Sequence, residues 1–546
     1  RENTEGGYAV GSSGFNVTED LAVDFTVTTK QGSDRIARLA YDYARKNGLG
    51  RVSLVTKANV IKTTDGNFLE DCHKVADLYP GCKEYTDYAE MLKQEDIEVV
   101  YIATRSCDHF DHAMMALKAG KDVVLEKPAT VSYEEAVELY KHANKPGQPK
   151  AKLVLDYGCE FPGSIRLMIW GAGSKGCGDD ARCNILVRTG ESVMEAITPI
   201  KVKNTTNDHA IRDRIMNVGF YSANETNESG QRFVCVELVD DDAIVTFKAI
   251  QGVFHYLDLD YKGSFECSDE KLTRIWNTAA YTAHVNMQEY LWDGIKRDRL
   301  VWIGDMHTEV NTILATFGYN DIVPRSLDVV RDETPVGAWM NGISAYSIWW
   351  LLIHCDWYRA FGDKAYLEEQ RDYLRGLMAL LASFVDENGG ETLPEGRLLD
   401  WPTNDDPVAK HVGFQGLLKL ALDNGAYLLR ELGEDETAAL CEASAEKMKA
   451  HKPEPTAAKQ SNAFMVLAGL SDAKEVNEKI MIPGGGHGYS TFMGYYILAA
   501  KAAAGDYAGA LNDMKEYWGG MLDMGATTFW DDVDLDLIIN AGRIDE

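Results

Sequence analysis

A chain of 546 residues that is 45% hydrophobic can fill several cores, so three or four domains are expected. Its net charge of −30 disfavours nucleic acid as a partner, because phosphate would be repelled. No apolar run approaches the length of a membrane span, and ten dispersed cysteines without a CxxC pair fit neither a disulfide framework nor a zinc site. Reduced thiols of this kind suit a cytoplasm; the chain opens on Arg1 rather than Met, which leaves export open.

The elements are read in chain order. Ile36, Leu39, Ala40 and Ala44 recur at helical spacing over Ser33–Gly48, and RVSLV (51–55) reads as a short strand. A second helix is expected over FLEDCHKVADLY. Residues 83–145 continue in the same α/β manner, and IEVVYIAT (97–104) is a continuous apolar run of the kind found in buried parallel strands. Helix 109–119, strand KDVVLEKP and helix 132–144 follow, and KPGQP (145–149) is the clearest linker. In residues 151–262 KLVLDYG, IRLMIWG, RFVCVELVD and AIVTFKAI alternate or are rich in β-branched residues, which predicts an antiparallel β domain. From Ser268, a candidate N-cap, helices dominate. They are expected near 342–361, 364–385, 410–431, 435–450, 457–469, 490–504 and 507–523, joined by the short loops of antiparallel hairpins.

Three segments resemble three families. RENTEGGYAV (1–10) with VTKANVIKTTDGNFLEDC (55–72) resembles the β-decarboxylating dehydrogenases of isopropylmalate, isocitrate and tartrate. The resemblance implies a substrate-carboxylate ligand at Arg1 and an acid/base pair at Tyr8 and Lys57. The family's metal-binding aspartates and nucleotide loop have no counterpart in this chain, so these residues read as remnants. Residues 98–136 resemble the nucleotide-binding domain of the Gfo/Idh/MocA oxidoreductases, with Lys127 of EKP matching the family lysine. A GxGxxG loop, which would seat a pyrophosphate on a helix N-terminus, does not follow a first strand here. No bound cofactor is therefore expected.

Residues 150–546 resemble the bacterial α-L-rhamnosidases of glycoside hydrolase family 78, on TNDHAIRD, GSFECSDEKLTRIW, DGIKRDRLVWIGDMHTE, WMNGISAYSIWW and GATTFWDD. The resemblance implies a β-sandwich followed by an (α/α)6 barrel with a sugar pocket at its mouth, and a barrel that continues past Glu546 in the family. The expected organisation is a dehydrogenase-like fragment (1–80), an oxidoreductase-like fragment (81–148), a β-sandwich (149–263) and a C-terminally truncated barrel (264–546). The whole reads as a mosaic of three enzyme pieces, by fusion or misassembly of genes.

The chemistry concentrates in DGIKRDRLVWIGDMHTE (293–309), where seven charged residues stand between apolar runs. If a helix begins near Asp298, then Asp298, Trp302, Asp305 and Glu309 share one face. Carboxylates accept hydrogen bonds from hydroxyls, and an indole packs on the apolar face of a sugar ring. Asp293 and Arg297 precede this stripe in a loop. Glycoside hydrolysis needs one carboxyl to protonate the leaving oxygen and another to activate water. The resemblance implies an inverting mechanism, with Asp298 replacing the family's usual glutamate acid and Asp531 of GATTFWD its usual glutamate base. Asp305 matches the aspartate that binds rhamnose hydroxyls, and Glu309 is a reserve acid. Asp400, Trp401 and His487 are further pocket candidates. His354 reads as a core histidine, and His209 and Asp213 as structural members of the β domain. No cluster has metal-ligand spacing. The expected substrate is a rhamnose-containing glycan or glycoside; the alternatives are a non-catalytic carbohydrate-binding protein or an NAD-dependent hydroxyacid oxidoreductase.

Overall fold

The computed structural model describes residues 15–18, 21–23, 28–46, 52, 62–79, 87–95, 97, 99–102, 106–125, 152–174, 182–202, 212–241, 243–394, 396–539 and 541–545. Arg1, Tyr8, Lys57, Lys127, His209, helix 132–144 and the KPGQP linker lie outside the described residues.

At the N-terminus β1 (Phe15–Thr18) and β2 (Leu21–Val23) pair antiparallel. Helices α1 (Lys30–Lys46) and α2 (Thr64–Ala76) pack through Ala37, Cys72 and Val75. A short α3 (Tyr88–Leu92) leads to β3 (Val99–Ile102), α4 (Ser106–Lys118) and β4 (Asp122–Leu125). β3 and β4 pair in parallel, as their apolar runs predict, with Val100 and Ile102 buried against Ala113 and Ala116.

The β domain is built on β5 (Lys152–Ser174), a 23-residue strand where the sequence pattern predicts two. Its register breaks between Asp156 and Phe161. Ahead of the break it pairs with β9 (Ser229–Leu238); beyond it, mainly with β10 (Ala243–Phe254) and β8 (Ser222–Glu225). β6 (Arg182–Gly190) and β7 (Asp213–Gly219) complete the order β10-β5-β9-β6-β7, and α5 (Val193–Ile197) follows β6. The expected sandwich of two stacked sheets is corrected here: among the described residues the domain is one curled antiparallel sheet, a half-barrel. The irregularity in β5 gives the physical reason. A bulged strand bends and twists, so one strand serves both halves and the sheet closes over its own core of Ile165, Leu167, Ile185, Val187 and Val236.

The helical part begins with α6 (Glu270–Asn286). Its N-cap is Asp269, not Ser268: the Asp269 carboxylate accepts from the Lys271 and Leu272 amides. α7 (Ile303–Thr316) and α8 (Ile322–Glu333) follow. α9 (Ser344–Phe361) is apolar on nearly every side and runs through the core with Trp349, Trp350 and Trp357 buried, closing on Gly362 in the left-handed conformation. The helix expected over 364–385 divides at Gln370 into α10 (Lys364–Glu369) and α11 (Arg371–Ala382). α12 (Pro407–Leu432) starts on a proline behind the Asp406 cap and ends at Gly433. α13 (Asp435–Met448), α14 (Lys459–Leu467), α15 (Ala473–Val476), α16 (Thr491–Ala503), α17 (Tyr507–Asp523) and α18 (Leu535–Ile538) complete the set.

These helices form a circuit. α7 packs on α9, α9 on α12, α12 on α14, α14 on α16, and α16 returns to α7, while α17 joins α16 to α6. One contiguous apolar core fills the circuit. The segments between helices gather several of the candidate residues, so the ring places side chains that are hundreds of residues apart beside one another.

Candidate active site

The loop between α6 and α7 is tied at its base. Asp293 donates its amide to the Leu300 carbonyl (3.1 Å), and its carboxylate accepts from the Leu300 amide (3.0 Å). Asp298 and Arg299, near the loop tip, both have φ of +54°, a left-handed conformation that costs non-glycine residues of order 1–3 kcal/mol each. The predicted helical stripe is therefore corrected. Asp298 lies in this strained loop, and Trp302 is the extended residue preceding α7. Only Asp305 and Glu309 share the helix, one turn apart. The loop's fastening at Asp293 and Leu300 outcompetes continuation of the helix toward the N-terminus.

Asp298 still joins the group. Its carboxylate lies 3.8 Å from the Arg297 guanidinium. Its charge, and that of Asp531, reach Asp293. Burial pushes the Asp293 carboxyl up to about 6; the Leu300 amide pulls against this, while Asp298 and Asp531 push further. Burial likewise pushes Asp305 up to about 7, with Asp293 and Asp531 adding to the rise. Glu309 is held well above the ordinary carboxylate range by burial and then by Asp305 and Asp293. Five carboxyl groups thus share one electrostatic neighbourhood: Asp293, Asp298, Asp305 and Glu309 from one stretch, and Asp531 from a stretch more than two hundred residues away.

An aromatic pair adjoins these carboxyls, since the charges of Asp305 and Asp293 reach Tyr346. The Trp302 ring meets Tyr346 edge-on at 5.9 Å, and Trp302 Nε1 is buried with no hydrogen-bond acceptor among the described residues. Gly304 makes the contact possible, since a Cβ there would lie 2.4 Å from Tyr346 Cε1. Tyr346 was not among the sequence candidates, and neither was Asp532, which accepts from Tyr517 Oη at 2.7 Å. Their only sequence signal is membership of WMNGISAYSIWW and GATTFWDD.

Asp400 is buried, accepts from Ser490 Oγ at 2.9 Å, and is pushed up to about 6 by burial, with the Asp532 charge contributing. That contribution connects Asp400 to the Asp531–Asp532 stretch. Trp401, next to it, is 77% exposed. It is no core residue; it stands as a bare aromatic face. His487 lies exposed in the Gly-rich loop before α16, its Nδ1 at 3.0 Å from the Gly484 carbonyl and its Nε2 at 3.2 Å from Asp536. Arg297 is likewise exposed. His354 is buried in the core and burial depresses its imidazole to about 3, so it is neutral. Asp213 pairs with Arg188 at 2.8 Å within the β domain, a structural role. Among the described residues no group of three or more His, Cys, Asp or Glu is placed to hold a metal ion. Among them, too, no helix is long and apolar enough to cross a membrane.

Known proteins match several stretches of the chain. Residues 260–464, which carry all of the acidic loop, α7 and the Asp400–Trp401 pair, match the family model of the bacterial alpha-L-rhamnosidase 6 hairpin glycosidase domain. The chain carries an α-L-rhamnosidase-like glycosidase domain. The rhamnosidase-like part also shares its fold with solved structures. A rhamnosidase from Klebsiella oxytoca with rhamnose bound superimposes with a TM-score of 0.63 at 20% identity, covering 73% of this chain and 83% of that one. The GH78 family rhamnosidase of Bacillus sp. GL1 gives 0.60 at 20% identity, covering 73% and 45%. The α-L-rhamnosidase of Aspergillus terreus gives 0.55 at 16% identity, covering 72% and 49%.

Ahead of the rhamnosidase-like domain two other families appear. Residues 1–105 match the isocitrate/isopropylmalate dehydrogenase family, and residues 67–150 the NAD-binding Rossmann-fold oxidoreductase family GFO_IDH_MocA. A regulatory subunit of mitochondrial NAD isocitrate dehydrogenase from Dictyostelium discoideum is 44% identical over 85 residues, 15% of this chain and 22% of that protein. The β subunit of the human mitochondrial enzyme is 46% identical over 83 residues, 15% and 21%. The 3-isopropylmalate dehydrogenase of Methanothermobacter thermautotrophicus is 46% identical over 88 residues, 16% and 26%. The chain thus spans about a fifth to a quarter of the length of the curated relatives it matches.

Proposed function

We propose that the protein is a glycoside hydrolase that releases terminal α-L-rhamnose by a single, inverting displacement. One observation carries this reading: carboxyl groups from two distant loops, at Asp298 and Asp531, act on the same half-buried Asp293 beside an indole and a phenol. Asp298 protonates the leaving oxygen, and Asp531 deprotonates the attacking water. An inverting pair must stand roughly 6.5–9.5 Å apart to admit that water. Both are aspartates where relatives usually have glutamate, so each reaches one methylene less far. Asp305, protonated near neutrality, donates as well as accepts hydrogen bonds with sugar hydroxyls. Trp302 packs on the C–H face of the ring and offers its free N–H, and the exposed Trp401 receives the leaving group. The helical circuit is the (α/α)6 barrel of such enzymes, and the parts divide at residues 80, 148 and 263. The two N-terminal parts are remnants without catalytic activity of their own.

A second reading of the acid has its own observation. Burial pushes the Glu309 carboxyl well above its ordinary range, the direction a general acid requires. One experiment decides. The protein is incubated with an aryl α-L-rhamnoside, and the first-formed rhamnose anomer is read by NMR. Turnover with inverted configuration that Asp298→Asn abolishes and Glu309→Gln does not supports the primary assignment; the opposite pattern moves the acid to Glu309. Rhamnose binding without turnover would make the protein a carbohydrate-binding module, and oxidation of malate-type acids with NAD would restore the N-terminal activity.

A further inference from the structure

The loops bearing Asp298 and Asp531 are both fastened to the β domain. In the first, Lys296 reaches out of the helical part and is held between Glu191 (2.6 Å) and Glu195 (2.7 Å). Burial works against its charge, but Glu191 and Glu195 outweigh burial and hold the ammonium above its usual range. Ile295 presses on β9 so closely that a Cβ at Gly230 would lie 2.5 Å from Ile295 Cγ1. Arg299 donates to the Glu228 carbonyl at 3.1 Å.

The second loop is gripped by β5 and β9. The Glu160 amide donates to Thr527 Oγ1 (2.9 Å), and Thr528 Oγ1 donates to the Glu160 carboxyl (2.6 Å). Arg232 donates to the Gly525 carbonyl at 2.9 Å. Glu160 and Thr528 are both buried. The two grips meet, because the Glu160 carboxyl lies close enough to Glu191 to feel its charge and within the field of Lys296. A continuous path therefore runs from the 525–531 loop through Thr528, Glu160, Glu191 and Lys296 to the loop of Asp298.

We propose that Glu160, Glu191 and Lys296 are positioning residues: this interdomain chain fixes where Asp298 stands relative to Asp531. The proposal rests on the glycosidase reading for its catalytic consequence, and for the coupling between the loops on the Thr528–Glu160 hydrogen bond, the Lys296 ion pairs and the charge of Glu191 beside Glu160. Glu160 accepts from Thr528, Lys296 pairs with Glu191 and Glu195, and Glu160 lies in the field of both Glu191 and Lys296. A paired-carboxylate mechanism is sensitive to this geometry, since a misplacement of about 1 Å costs about 100-fold in rate. Glu160 is the informative position. Burial, then the Glu191 charge, hold its carboxyl protonated well above the ordinary range. Glutamine reproduces that neutral form: it keeps an acceptor for Thr528 and a donor for Glu191.

The test compares Glu160→Ala, Glu160→Gln and Lys296→Met in the full chain. With an aryl α-L-rhamnoside, Glu160→Ala and Lys296→Met are expected to lower kcat about 100-fold with KM within about threefold, and Glu160→Gln to restore activity to within about threefold of the parent. Hydrogen–deuterium exchange supplies a readout that needs no turnover. Glu160→Ala should speed amide exchange in residues 293–300, and Lys296→Met in residues 525–531, each being the loop that the altered side chain does not itself hold. If the parent protein turns nothing over, the glycosidase reading falls while exchange still decides the coupling. Exchange changes confined to each variant's own loop would overturn the proposal, as would equal losses in Glu160→Ala and Glu160→Gln. Should Lys296→Met fail to fold, the Glu160 pair and its exchange pattern decide alone.

Discussion

Asp305 offers a thermodynamic test of the acidic cluster that does not depend on activity. Its carboxyl titrates near 7 in the folded protein and at 3.8 as a free side chain. The folded state therefore binds the proton more tightly, and stability falls as pH rises from the free value to the folded one. Replacing Asp305 with Asn removes this penalty. At pH 5 only the first part of the rise has been crossed, and the gain is about 1.6 kcal/mol; above pH 7 the full difference of about three pH units corresponds to about 4 kcal/mol at 1.36 kcal/mol per unit. Both are upper bounds, because the neighbouring Asp293 is pushed up into the same range and the two carboxyls titrate together. The general repulsion of a chain with net charge −30 cancels when parent and variant are compared at one pH. Thermal melts of both proteins at pH 5 and pH 8.5, followed by near-ultraviolet circular dichroism, should show a stabilisation by Asp305→Asn that grows by several degrees between the two conditions. A stabilisation independent of pH, or a variant less stable at pH 8.5, would refute the shared burial of these carboxyls.

Three further outcomes are expected. Asp531→Asn should reduce kcat on an aryl rhamnoside by about 100- to 10,000-fold, the range for losing a positioned base, with an unchanged circular dichroism spectrum; azide added as a replacement nucleophile distinguishes loss of the base from misfolding by restoring turnover. Trp401→Ala should leave the melting temperature unchanged, since the ring is 77% exposed, while weakening binding of aryl rhamnosides severalfold more than of free rhamnose, read by calorimetry. Gly230→Ala should destabilise the protein by about 1–3 kcal/mol in urea unfolding, because its Cβ would meet Ile295, and should raise the exchange of residues 293–300.

Much of the helical part is legible in the sequence because its signals are local. Apolar periodicity over 342–361, 410–431 and 507–523 places the ends of α9, α12 and α17 within a few residues. The parallel pairing of β3 and β4 is likewise written in their apolar runs. The errors have a common source. KLVLDYG and IRLMIWG read as two strands because Gly158 and Gly163 look like turns, yet both take positive φ within one bulged strand that changes partners. Asp298 fits a helical face by spacing, yet the Asp293–Leu300 hydrogen bonds hold it in a left-handed loop.

The sequence by itself determined where the candidate residues concentrate, in an acidic, tryptophan-bearing stretch at 293–309 and a second acid at Asp531, and the families that three segments resemble. Those are properties of residue type and spacing along the chain. What only the tertiary structure decided is the company these residues keep. The shared field of Asp293, Asp305 and Asp531, the Trp302–Tyr346 pair, and the path from Thr528 through Glu160 to Lys296 join positions as much as 368 residues apart. Burial and charge act through space, so a carboxyl's proton affinity is set by neighbours that the chain's order leaves unspecified until the helical circuit closes.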